Sequence, residues 1–94
     1  MPSYKVAHVK EQGQDMIVIP LDSHYGSLSN EEQNEVRNEL QLRSRAAGLR
    51  GTVVTVWDAG LQRMGFLAPS PWRSFFASTS LRWVFANINR EVFW

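Results

Sequence analysis

The sequence predicts an α+β fold: a two-layer sandwich in ββαββα order, with two helices on one face of a four-stranded mixed sheet. Three observations predict it. "YKVAHVK" and "DMIVIPL" have strand composition and are joined by the glycine-bearing "EQGQ". A second pair, "TVVTVW" and "RMGFLA", flanks "DAGLQ". Between the pairs, "SNEEQNEVRNELQLRSRAAGL" carries both the start and the stop signals of a helix. The 94 residues form one domain, residues 1–94, because a chain of this length has room for a single core.

The first pair reads as an antiparallel hairpin. "YKVAHVK" alternates as a half-buried strand does, and "DMIVIPL" is a continuous apolar run suited to a strand covered on both faces. Gly13 supplies the positive φ of the tight turn, and Pro20 belongs near the strand end, where its missing N–H breaks no central ladder bond. Helix 29–47 follows, with Ser29 as N-cap, Glu32 closing a capping box and Gly48 as the stop. Val36, Leu40 and Ala47 share its narrow apolar face, and Arg43 pairs with Glu39 four residues earlier. As the crossover between the inner strands, this helix makes strands 15–21 and 52–57 parallel.

Residues 52–68 form the second hairpin, with Gly60 in its turn. "SPWRSFFASTSLRWVFANINREVFW" is read as helical, opened by Ser70 and Pro71, with a break near residues 78–80. On its second half Leu81, Val84, Phe85, Ile88 and Val92 make a core face, leaving Trp83, Arg90 and Trp94 together on the outward side.

Composition narrows the function classes. The chain is 44% apolar and 20% charged, as expected of an ordinary globular protein. It has no cysteine, which removes disulfides and thiolate metal sites and agrees with the cytoplasm. No apolar run has membrane-spanning length, and the N-terminal stretch lacks the apolar region of a signal peptide. Phosphate-binding glycine loops and His-Glu-x-x-His are absent, so no cofactor is implied. His8 falls mid-strand and is read as structural.

One stretch invites a catalytic reading. "LDSHYGS" places Asp22, Ser23, His24 and Tyr25 in succession at the end of strand 15–21. If that strand and strand 52–57 are parallel, Asp22, His24 and Asp58 meet at the carboxyl edge, a weak candidate for cation binding or acid–base work. Adjacent side chains diverge, however, and "DSHYGS" has the composition of a strand-to-helix turn. The turn is the preferred reading, and an enzyme ranks below two binding functions.

The charges are unevenly placed. Residues 1–40 hold three cationic against seven acidic residues, and residues 41–94 hold seven arginines against Asp58 and Glu91. Mutual neutralisation of the two halves is the expected outcome. Nine of the eleven aromatics lie between Trp57 and Trp94, more than a core this small hides easily. Trp83, Arg90 and Trp94, extended by Trp72, therefore read as an interface for another protein or a second copy of the chain. The expectation is a small non-enzymatic adaptor or accessory module, with a possible homodimer. The runner-up is a nucleic-acid-binding accessory protein that uses the same arginines.

Overall fold

A computed structural model describes residues 3–11, 13–61 and 63–93. The α+β class is as the sequence predicts, but the sheet has five strands and its helices cover both faces. Strands β1 (Ser3–Glu11) and β2 (Gln14–Pro20) form the first hairpin, antiparallel with Ala7 opposite Val18. Gly13 turns it at φ 76°. Helix α1 (Asn30–Ala46) then crosses to β3 (Thr52–Gly60), which lies parallel to β2 with Val18 opposite Val54. β4 (Arg63–Leu67) returns antiparallel to β3.

The capping box forms as read. Ser29 Oγ accepts from Glu32 N–H at 3.2 Å, and Ser29 N–H donates to Glu32 Oε1 at 3.1 Å. At the other end Gly48 takes φ 84°, the left-handed conformation of a helix stop. Arg43 Nε meets Glu39 Oε1 at 2.8 Å. Ala47 is exposed rather than buried, because the helix face turned inward carries Gln33, Leu40, Gln41 and Ser44.

The C-terminal third departs from expectation. The long helix is replaced by a 3-10 turn at Ser70–Trp72, helices α2 (Arg73–Ala77) and α3 (Leu81–Ala86), and a fifth strand, β5 (Arg90–Phe93). The sheet order is β4-β3-β2-β1-β5. The helical wheel over 81–94 fails after Ala86 because asparagine side chains take over the backbone bonding. Asn87 Nδ2 donates to Trp83 C=O at 2.8 Å, closing the helix. Asn89 then pairs with His8 through both amide atoms, accepting from His8 N–H at 2.9 Å and donating to His8 C=O at 2.9 Å. This clamp extends the β1 edge and starts β5, whose Val92 lies opposite Tyr4. His8 has the structural role expected, its Nε2 donating to Arg50 C=O at 2.7 Å.

Both faces of the central strands are apolar, so both need a cover. Val6, Ile17, Ile19 and Val53 pack with Leu40 of α1 and with Val92. The alternate residues Ala7, Met16, Val18, Val54 and Val56 pack with Phe76 of α2 and Val84 of α3. Two helices on one face would leave the second set in water. No helix among the described residues is long and apolar enough to cross a membrane.

Candidate functional site

At the carboxyl end of β2 the loop residues 22–27 serve the fold. Asp22 Oδ1 accepts from His24 N–H at 3.0 Å and caps the 3-10 turn Ser23–Ser27. Ser27 Oγ donates to His24 C=O at 2.7 Å and lies 3.4 Å from His24 Nδ1. Tyr25 anchors the turn: it is buried, donates its hydroxyl to Gln33 C=O at 2.7 Å and accepts from Thr55 Oγ1 at 3.0 Å. Burial pushes its pKa above the ordinary tyrosine value, against the opposing pull of the Thr55 hydrogen bond and the Arg37 charge.

The three residues of the weak acid–base candidate are not brought to one cavity. Asp22 and His24 border a cleft of about 290 Å³ with Tyr4, Leu28 and Val36. Asp58 opens onto other clefts, and its Oδ1 accepts from Gly60 N–H at 2.8 Å. Among the described residues no three His, Cys, Asp or Glu side chains converge as a metal site requires.

Trp57 lines the cleft that Asp58 shares with Ser23, Gly26 and Ser27. It sits opposite Gly65 in the β3–β4 register and edge-on to Tyr25, ring centroids 5.0 Å apart. A Cβ on Gly26 would come within 2.5 Å of Trp57 Nε1, and one on Gly65 would overlap the indole outright. The two glycines are thus the seat of the ring, an aromatic covering a strand glycine. Gly65→Ala is expected to cost about 1–3 kcal/mol by overpacking, read from urea unfolding. Trp57→Leu in the same chain should recover part of that loss, whereas full additivity of the two changes would mean that ring and glycine do not share the space.

The second layer holds the remaining candidates. Phe75 packs edge-on against both Phe76 and Trp83, at 5.0 and 5.7 Å between centroids. Trp72 and Trp83 are half-buried against the α2–α3 side of the core, so Trp83 faces inward where the wheel had it outward. Arg90 is not on a helix. It lies on β5 opposite Val6, which places it on the α1 side of the sheet, away from Trp83. Trp94 lies outside the described residues. The proposed single face of Trp83, Arg90 and Trp94 is therefore not formed by one helix.

The second layer exposes Phe85, which the helical wheel placed in the core, at 59%, and Phe93 of β5 is 61% exposed. Because Val92 points to the α1 side, its neighbour Phe93 points to the α2–α3 side. Arg82 and Phe85 stand three residues apart on α3 and so are surface neighbours. The strand-like "REVF" after two asparagines is the signal that could have found the second of these phenylalanines.

Charge is unevenly placed among the elements, and α1 carries Arg37, Arg43 and Arg45 beside its four glutamates. The one ion pair among the described residues is Arg43–Glu39, within α1. Glu31, Glu32, Glu35 and Glu39 are exposed on α1, whereas residues 59–90 contain Arg63, Arg73, Arg82 and Arg90 and no acidic residue. Arg63 and Arg82 border a cleft of about 490 Å³ between the β3–β4 hairpin and α3, which Asp58, Ser80 and Leu81 also line. Comparison of the chain with protein-family models, with curated proteins and with solved structures found no match.

Proposed function

We propose that this chain is a cytoplasmic, non-enzymatic module that docks an acidic partner protein on its α2–α3 layer. The observation that carries the reading is the exposed Phe85, 59% accessible, one helical turn from Arg82, itself without an ion pair among the described residues. An aromatic beside an arginine combines apolar area with directional charged bonds, the composition of an interface hot spot. Cationic Arg63, Arg73 and Arg82 on the same layer favour a partner of opposite sign. Trp72 and Trp83 support this surface from beneath. The glutamate-rich first turns of α1 in a second copy meet the same chemical description, and sedimentation velocity separates self-association from a different partner.

Affinity capture with the purified chain tests the reading. Phe85→Ser and Arg82→Glu should each weaken partner capture by about 30-fold, the equivalent of a hot-spot loss of about 2 kcal/mol. Leu42→Ser, at a residue 64% exposed on α1, should leave capture unchanged. All three variants should melt within about 0.5 kcal/mol of the parent, being surface changes. Equal capture by Phe85→Ser and the parent would overturn the proposal. Tight oligonucleotide binding that falls steeply with salt would replace it with the nucleic-acid reading.

A further inference from the structure

We infer that the cleft between the β3–β4 hairpin and α3 seats a phosphomonoester dianion, carried on a side chain of the docked partner. The inference rests on the proposed docking function and names the group recognised there. Arg63 borders the cleft from the start of β4 and Arg82 from α3, so two arginines line one space from separate elements. Neither has a hydrogen-bond or ion-pair partner among the described residues.

Ser80 adds a third donor. Its Oγ accepts from Trp83 N–H at 3.3 Å, which leaves the hydroxyl hydrogen available to a ligand. Thr79 adds none, because its hydroxyl already donates to Phe75 C=O at 2.7 Å. Donors arriving from several directions suit the oxygens of a tetrahedral anion, whereas a planar carboxylate is served by one arginine fork. Half-buried Met64 and Leu81 line the cleft beside them and displace water from the charged contacts. At about 490 Å³ the space admits a phosphate with the side chain that bears it.

Asp58 opposes an anion in this cleft: its carboxylate offsets part of the attraction of the two arginines. Its Oδ1 bond to Gly60 N–H survives replacement by asparagine, so Asp58→Asn removes the opposing charge without removing the turn bond.

The test is a nuclear magnetic resonance titration of the full chain, first with inorganic phosphate and then with a short phosphoserine peptide and its glutamate counterpart, all at constant ionic strength. Saturable amide shifts confined to residues 58–64 and 79–82 are expected. Arg63→Gln and Arg82→Gln should each weaken phosphate binding about tenfold, the loss of one charge-assisted contact. Asp58→Asn should tighten it, and the phosphopeptide should bind more tightly than either phosphate or the glutamate peptide. Binding should fade below about pH 6, where the monoester takes up a proton. Lack of saturable shifts, parity of the glutamate peptide with the phosphopeptide, or weaker binding by Asp58→Asn would each overturn the inference. Phosphate binding without preference for the peptide would reassign the site to a free small-molecule phosphate. Phe85→Ser reports separately: if it abolishes capture while the cleft binds no phosphate, docking stands and this inference fails.

Discussion

Truncation of Phe76 to alanine is expected to cost about 3–5 kcal/mol, the range for removing a fully buried phenylalanine. Phe76 is 1% exposed and packs with Met16, Val18, Val54, Val56 and Val84 on the α2–α3 side of the sheet. Phe66 lies 6.0 Å from it and Phe75 5.0 Å, centroid to centroid. The five residues of α2 are far too few to form a helix in isolation, so their helicity depends on the buried Phe76 and the half-buried Phe75 beside it. Loss of Phe76 should therefore unseat α2 and, through the Phe75–Trp83 contact, the base of the α3 surface. Urea unfolding followed by tryptophan fluorescence measures the cost, and partner capture should fall in the same variant. A loss below about 1 kcal/mol would mean that the second layer is not part of the cooperative core.

Those parts of the fold that depend on neighbours in sequence were legible. The Ser29–Glu32 box, the Gly48 stop, both hairpins and the parallel β2–β3 pairing follow from short-range spacing and from the crossover that a single helix allows. β5 was not legible, because its reason for existing is the open edge of β1, more than eighty residues away, which Asn89 reaches through His8. A period of 3.6 over "LRWVFANINREVFW" placed Phe85 with Val84 in the core, but the helix stops before that stripe is complete. The cover on both faces was implied by the unbroken "DMIVIPL", a stronger signal than the helix count used to place both helices together. At the candidate site the arginines were visible, but not which of them the fold brings to the α2–α3 layer. Which layer each charge occupies depends on how the helices divide between the two faces.

The inward face of α1 carries polar residues beside Leu40, and Gln41 explains why. β4 pairs with β3 only from Thr55 onward, so the earlier part of the β3 edge has no strand beside it. Side chains of α1 stand in for one. Val53 N–H donates to Gln41 Oε1 at 2.8 Å, Gln41 Nε2 donates to Gly51 C=O at 3.0 Å, and Arg37 Nε donates to Val53 C=O at 3.2 Å. Arg37 also donates through Nη2 to Gln41 Oε1 at 3.1 Å, which joins the contacts into one network. Burial lowers the Arg37 pKa from its ordinary value, partly offset by Tyr25. Gln41→Leu keeps a large side chain in place but strands the Val53 N–H and frees the Gly51 carbonyl. The buried Val53 N–H costs about 1–3 kcal/mol when orphaned, and with the part-buried Gly51 carbonyl a total of about 2–4 kcal/mol is expected from urea unfolding. Amide hydrogen exchange localises the effect: Val53 N–H should lose protection far more than Val54 or Val56. Gln41→Glu retains the acceptor for Val53 and Arg37 and gives up only the donor to Gly51, so it should fall between the parent and the leucine variant. If Gln41→Leu is as stable as the parent and Val53 exchanges no faster, the β3 edge is satisfied by water, and α1 is held by Leu40 and its apolar neighbours alone.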